Sequence, residues 1–516
     1  MSTGLQTFLA ALPILTVLTL MIGLRWSAAR AGIAGFLVTL VIAWQAFGYG
    51  TDVLPELGTA LATLGALSEA AFITLTVLWI IFPALCIHQL QIRTGAIDEL
   101  RLALGRLSHD PRIAALLIAW FFVLFIEGAA GFGTPVALAA PFLVSAGFKR
   151  VEAVAMALIG HSVGVSFGAV GTPILPQLAV TPFGAVELSA ATGIYHTLVG
   201  WLMPVTAMLL VTRALPEEKC PGGILWGWTL FAALVFFLPY YLIATFVGPE
   251  LPTLGGSLLG GLVFVGALLL ARKRLNRPVN LAVNEVSRRN TAVLLQAAAP
   301  YLVLVGLVLI TRLVPAVRAA LVAFTVDWQL DVFSGSIQIL YHPGSMLLLS
   351  LLAGALWQRA SVHDVASAAR KTLSQILPVT VALLAMLSLS RLLVHAGMIE
   401  ILARSAAGAV GDLWPLFAPF VGTLGTFVTG SATASNILFT DFQFVTAERL
   451  GLSALALVGA QGFGAAVGNI ICPHNIIAAG ATVELAGREG EILARTFVVA
   501  LLYAFLGGLL ALFIFT

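Results

Sequence analysis

Charge is what this chain has least of. Of its 516 residues, 26 are Lys or Arg and 23 are Asp or Glu, 9% in all, where a soluble protein carries about 25%. So few charges cannot cover a water-soluble exterior, which excludes soluble enzymes, nucleic-acid binders and disordered scaffolds. Cysteine is scarce too. Cys86, Cys220 and Cys472 stand far apart with no C-x-x-C, so neither a disulfide framework nor a metal site is expected. The basic residues form no stripe, and a net charge of +3 points to no polyanionic partner. A basic n-region and an A-x-A cleavage site are both missing at the N-terminus, so the first apolar run reads as an uncleaved span.

Apolar residues are what is present: 60% of the chain, with a mean hydropathy of +1.04, 50 Gly and 23 Pro. That mixture reads as an all-α polytopic membrane protein with interrupted helices. A crossing needs about 20 apolar residues. Candidate runs lie near 7–24, 31–49, 71–90, 113–127, 136–147, 151–170, 193–213, 225–247 and 255–271. The second half adds 291–311, 344–358, 372–391, 413–428, 437–447, 452–470 and 496–515. Two pairs are too short to cross singly and are broken by small polar residues, which suggests re-entrant hairpins near 113–148 and 413–449. About 12 full transmembrane helices remain. With the N-terminus outside, 21 of the 26 basic residues fall on the inner side, so cytoplasmic Lys/Arg enrichment predicts both termini outside. Gly95–Arg106 reads as an interfacial amphipathic helix.

The chain also matches itself. Gly95-Ala-Ile-Asp98 is echoed 302 residues on by Gly397-Met-Ile-Glu400, and Gly128, Ala130 and Thr134 by Gly430, Ala432 and Asn436. At an offset of 300, Gly164, Gly168 and Pro173 face Gly464, Gly468 and Pro473. The paired spans run in opposite directions under that orientation. The expectation is two inverted-topology repeats, 1–213 and 291–516, linked by two helices and a cytoplasmic loop over 214–290. Such repeats with paired broken helices at the midplane mark alternating-access transporters.

Four segments carry the candidate chemistry: Glu127–Pro135, Ser166–Pro173, Thr429–Asn436 and Gly468–Asn475. Gly and Pro break the helix within the apolar slab, tolerable only where the backbone lines protein or a wet cavity. Helix-packing motifs explain Gly and Ala there but not the hydroxyls and amides. Gly131, Gly133, Thr134, Ser166, Gly171, Thr172, Ser431, Thr433, Ser435, Asn436, Asn469 and Asn475 are therefore the substrate-binding candidates. Opposed helix N-termini suit a small carboxylate without an arginine. Glu127, at the inner edge of the first break, is costly at that depth and suits a proton carrier; a structural acid capping the hairpin is the alternative. His161, Asp441 and His474 are further coupling candidates, each equally readable as a packing residue. Arg391 and His395 read as interfacial rather than as a substrate clamp, and His196 and Glu187 as facing the outer surface. Gly-Ala-Ala-Gly-Phe-Gly lacks a following Lys-Ser or Lys-Thr and a preceding soluble strand, so no nucleotide site is expected.

Ala119-Trp-Phe-Phe122 with Phe125-Ile-Glu-Gly-Ala-Ala-Gly-Phe-Gly-Thr-Pro135 resembles the signature of the bacterial lactate permease family. Val165–Pro173, Gly430–Asn436, Gly468–Asn475 and Gly487-Arg-Glu-Gly490 match the same family, so the resemblance spans most of the chain. It implies proton symport of L-lactate, D-lactate or glycolate across the bacterial inner membrane, and kinship with the ion-transporter superfamily. The chain departs from the pattern at Gly160-His161-Ser-Val-Gly164, where Ala-Asn-Ser/Thr-x-Pro is common, and at Ala432, where Asp is common. These departures bear on specificity more than on class. The partners implied are a small carboxylate, a coupling proton and lipid, with no cofactor and no nucleic acid; a homo-oligomer is compatible with the same pattern. The same-class rival is a sodium- or proton-coupled carrier for another organic anion, a dicarboxylate or sugar acid. No Lys or Arg near the breaks favours a monoanion. An intramembrane protease would need a Ser-His pair, His-Glu-x-x-His or two membrane Asp. A passive channel would not need paired hairpins.

Overall fold

Backbone polar groups inside an apolar slab must be satisfied within the segment, and a helix does this. A computed structural model describes residues 1–24, 26–99, 110–131, 133–214, 225–274, 288–485 and 488–514. Twelve helical stretches among them are long and apolar enough to cross a membrane. Residues 100–106 of the expected amphipathic helix, Cys220, Phe132, Gly487 and most of the loop before Arg288 lie outside the described residues.

The first half runs α1 (Thr3–Gly23), α2 (Ala28–Ala46), α3 (Gly58–Arg93), α4 (Pro111–Ala129), α5 (Thr134–Ser145) and α6 (Arg150–His161). An irregular stretch leads to α7 (Leu175–Val180), α8 (Ala185–Val199), α9 (Leu202–Ala214), α10 (Trp226–Phe246) and α11 (Pro252–Arg274). The second half continues with α12 (Arg288–Leu313), α13 (Pro315–Val322), a hairpin of β1 (Thr325–Leu330) and β2 (Phe333–Gln338), α14 (Pro343–Trp357) and α15 (Val362–His395). It closes with α16 (Met398–Val410), α17 (Trp414–Thr429), α18 (Ala432–Leu450), α19 (Ala454–Gly468), α20 (Pro473–Ala481) and α21 (Glu489–Ile514).

Several elements differ from the hydropathy reading. α3 and α15 span 36 and 34 residues, well beyond the apolar runs 71–90 and 372–391. At 1.5 Å per residue each is about 50 Å long, against a hydrocarbon core of about 30 Å. Hydropathy marks the apolar part of a helix and misses polar turns such as Val362–Lys371, which start from a Ser361/Asp364 capping box. Pro111–Ala129 alone reaches 19 residues, whereas the run 344–358 becomes a helix of 15. The expected crossing 193–213 begins earlier and is interrupted at Gly200, between α8 and α9. The β-hairpin had no hydropathy signal. It is fixed by fully buried Phe333 and by Glu69 of α3, which accepts from the Ser334 backbone N–H at 3.2 Å.

Packing follows from small residues. Gly35 of α2 lies so close to α1 and α15 that a β-carbon there would meet Val17 at 2.4 Å and Leu389 at 2.7 Å. Trp120, Phe236, Phe237 and Tyr240 form an edge-to-face cluster that ties α4 to α10. The outer surface is the reverse of a soluble one: Leu262, Val498 and Phe246 are each about two-thirds exposed, as lipid contact requires. Exposed Trp26, Trp226 and Trp357 lie at helix ends, where aromatic rings anchor at a membrane interface.

Candidate functional site

Four helix interruptions build the site. α4 turns into α5 through Gly131 (φ +57°) and Gly133 (φ +75°), left-handed positions that a glycine adopts without strain. α17 turns into α18 through Gly430, and the Ser431 hydroxyl caps α18 by accepting from Ala434 N–H at 3.3 Å. After α6 the chain tightens into a 3₁₀ segment, Ser162–Phe167, and then places Ala169 (φ +42°) and Val170 (φ +58°) in the left-handed region. Such positions cost about 1–3 kcal/mol each and persist only where the surroundings enforce them. α19 ends at Gly468, and α20 restarts at Pro473.

The unwound carbonyls are not left bare. Tyr240 donates to Val163 O at 3.1 Å, Thr253 to Gly164 O at 2.8 Å, and Asn436 Nδ2 to Pro173 O at 2.9 Å. Three other helices therefore supply the bonds that the broken helix gives up.

All four interruptions line one cavity of about 1200 Å³. Glu127, Gly131, Gly133, Thr172, Ser431, Thr433, Asn469 and His474 are on its wall. α5, α18 and α20, of 12, 19 and 9 residues, begin at that wall, so their N-terminal partial charges converge on it. Among the described residues no Lys or Arg lines the cavity. The Glu127 side chain is 4% exposed and, among the described residues, has no ion-pair partner. A β-carbon on Gly168 would sit 2.1 Å from Glu127 Oε1, so that glycine makes the room for the carboxyl.

The other candidates whose side chains are described stand behind the wall. Asn475 donates to Asn469 Oδ1 at 2.6 Å, orienting a residue that does line it. Ser435 donates to Gly422 O at 2.8 Å, stapling α18 to α17, and Asn436 is spent on Pro173. Gly171 lies against Pro249. His161 Nδ1 is 2.8 Å from the Leu158 carbonyl of its own helix. The Thr134 side chain lies outside the described residues. Ser166 is held by His196 Nε2 at 2.8 Å and by Gly462 O. His196 corrects the expectation of an outward-facing residue: it is fully buried, with its other ring nitrogen 2.7 Å from the Tyr503 hydroxyl. Arg391 is likewise not interfacial. It is 7% exposed and paired with buried Asp441. His395 pairs with Glu69 at 2.7 Å.

A second cavity of about 960 Å³ lies beyond, lined by Glu69, Leu175, Arg312, Arg318 and Arg391 among others. Pro173 lines the first cavity and Leu175 the second; on α15 the change occurs between Met386 and Arg391. Five helical residues span about 7 Å, so only a thin barrier parts two cavities that open at opposite ends of α15. The profile of the L-lactate permease family matches residues 6–516. The chain belongs to the L-lactate permease family.

Membership makes this permease a multi-pass membrane transporter rather than an enzyme. It is 28% identical over 515 residues to a putative L-lactate permease of Haemophilus influenzae, covering 93% of each chain. The L-lactate permease of Escherichia coli K12 is 28% identical over 475 residues, 84% of this chain and 83% of that one. The glycolate permease GlcA of the same bacterium is 27% identical over 553 residues, 99% and 95%. In fold the chain resembles MtrF of Neisseria gonorrhoeae, described with a class of antimetabolite efflux pumps, at a TM-score of 0.51 and 14% identity, covering 94% and 95%.

Motif reading missed three residues of this permease's cavity wall: His88, Gln89 and Gln375. The signal was there, because His88 is the only ionisable side chain of the run 71–90 apart from Cys86, and such a group inside a span is a functional hypothesis by default.

Proposed function

We propose that this protein is a proton symporter for a small monocarboxylate, lactate or glycolate first, working by alternating access across the bacterial inner membrane. The observation that carries the reading is a cavity where three helix N-termini and several hydroxyl and amide groups meet and which, among the described residues, no Lys or Arg lines. Backbone dipoles of that kind hold one carboxylate. A dicarboxylate or sugar acid would be better matched by added cations or a longer row of polar groups. Two cavities on either side of a thin barrier support alternation of access. Repeat symmetry is supported by the pairing of α3 with α15, each closed by a left-handed glycine, Gly95 (φ +69°) and Gly397 (φ +73°). In this reading the larger cavity opens to the cytoplasm, because its mouth lies at the helix ends that carry Arg30, Arg93, Lys371 and Arg488. Glu127 carries the proton, since its buried carboxyl shares the wall with the three helix starts, whereas Glu489, also on that wall, is only half-buried; His474, His161 and Asp441 are the other candidate coupling groups near the breaks.

The test is counterflow in proteoliposomes with labelled lactate, glycolate, malate and gluconate, with and without sodium. Exchange of the two monocarboxylates, independent of sodium, is the expected result. Preferential exchange of malate or gluconate, or a requirement for sodium, overturns the substrate or the coupling ion respectively.

A further inference from the structure

The mouth of the larger cavity contains a polar cluster that the broken helices do not use. There α3 brings His88 and Gln89 to the cavity, and α15 brings Gln375 to the same wall. His88 and Gln89 are each 4% exposed. Gln89 Nε2 donates to Gln375 Oε1 at 3.0 Å. Among the described residues, His88 Nδ1 and Gln89 Oε1 are buried without a hydrogen-bond partner. Buried polar side-chain atoms are nearly always paired, so these two orphans, in side chains that line one cavity wall, are groups a ligand could satisfy once the side chains turn toward the cavity.

The chemistry of the partner follows from what is unpaired. A neutral imidazole offers one donor and one acceptor, and a primary amide offers both kinds. A simple carboxylate accepts only, and would leave the acceptors here unmatched. A ligand that also brings an O–H satisfies both kinds. Lys371, one helical turn from Gln375, adds a cation at the same mouth, which draws anions toward it.

We propose that His88, Gln89 and Gln375 form a second binding station for a small hydroxycarboxylate, at the mouth of the cavity and separate from the broken-helix site. The proposal rests on the monocarboxylate reading above and extends it. On α3, Thr76 lines the second cavity while Ile81 to Gln89 line the first, so Ile81 is nearest the barrier. His88 is seven residues further out, about 10 Å along the helix. The station is thus reached from one face only, ahead of the helix starts. It favours substrates bearing a hydroxyl next to the carboxylate over those without one.

Side-specific kinetics test this. Right-side-out and inside-out vesicles would carry the full-length chain, His88→Leu, Gln375→Leu and His88→Gln, with labelled lactate and labelled propionate as probes. Both Leu variants should raise the half-saturating lactate concentration at least five-fold from the face bearing Arg93 and Lys371. From the opposite face the change should stay within two-fold. Propionate should respond less than lactate, and His88→Gln should recover most of the loss. A merely structural role would lower the maximal rate from both faces and leave the half-saturation constants alone, and that result overturns the station. So does an equal shift for lactate and propionate. Normal lactate transport with unaltered constants in both Leu variants defeats the station while leaving the monocarboxylate reading intact. A parent chain that moves neither lactate nor glycolate defeats both.

Discussion

Two acids show how differently a membrane-embedded carboxyl can be used. Glu127 faces the cavity without an ion-pair partner among the described residues, and Gly168 yields it space. Asp441 is held by Arg391, away from the larger cavity. The sequence places both in breaks or short arms but does not separate their roles, because the pairing partner lies 50 residues away on another helix. Glu127→Gln keeps the shape and removes the titration. If Glu127 carries the proton, the variant still exchanges external for internal substrate but does not concentrate substrate down an imposed pH gradient; accumulation at the parent level assigns coupling elsewhere. Removing one partner of a buried ion pair leaves a lone charge and costs about 3–5 kcal/mol. Asp441→Ala should therefore lower the unfolding temperature sharply. Replacing both partners, Asp441→Leu with Arg391→Met, should recover most of it. An Asp441→Ala protein as stable as the parent would show that Arg391 finds water or another acceptor. Residue type and position single out Ser431, Thr433 and Asn469, which line the cavity, and equally Ser166, Ser435 and Asn436, which bond to neighbouring segments, since a hydroxyl or amide beside a break reads the same whether it faces a cavity or staples two helices.

At the level of the element, the four breaks were the most legible part of the chain. Gly and Pro inside an apolar run leave few alternatives, and all four fall on one wall. What the sequence hides is the path of the third break. No local preference puts Ala169 and Val170 in left-handed conformations; packing by Thr253, Tyr240 and Asn436 fixes the flanking carbonyls and imposes it. The length of α3 and α15 was hidden for a related reason, their outer turns being polar. A close approach between elements is open to direct trial. Gly168→Ala drives a methyl group into the space of the Glu127 carboxyl, 2.1 Å from Oε1. Transport should fall at least ten-fold, and the loss should shrink in a Glu127→Ala background, where the obstructing group is gone. Equal losses in the two backgrounds would locate the damage in the helix path rather than in the contact between the two residues.

For the whole molecule, the polar surfaces at its two ends make orientation measurable. Asp331, in the exposed turn between β1 and β2, and His363, in the exposed first turn of α15, lie at opposite ends of the chain's helical bundle in the proposed topology. Cysteine at Asp331 should take an impermeant thiol reagent added to intact cells, above the label on the parent chain, and cysteine at His363 should not. The converse pattern reverses the orientation and assigns the larger cavity to the outside. The fold class was legible because composition forces it. The number of long apolar helices among the described residues agrees with the expected 12 only through two offsetting differences, Pro111–Ala129 reaching 19 residues and Pro343–Trp357 only 15. The two cavities were not legible, because a void is made by residues distant in sequence.

The thin barrier between those cavities has an electrical consequence. If water fills both cavities it conducts, and the membrane voltage would then not fall evenly across about 30 Å of hydrocarbon. It would be concentrated over the few ångströms between Pro173 and Leu175 and between Met386 and Arg391. A full elementary charge crossing 100 mV exchanges about 2.3 kcal/mol with the field. Here nearly all of that would be exchanged in a displacement of about 7 Å. A modest shift of a charged group past this layer therefore does the electrical work of crossing the entire membrane.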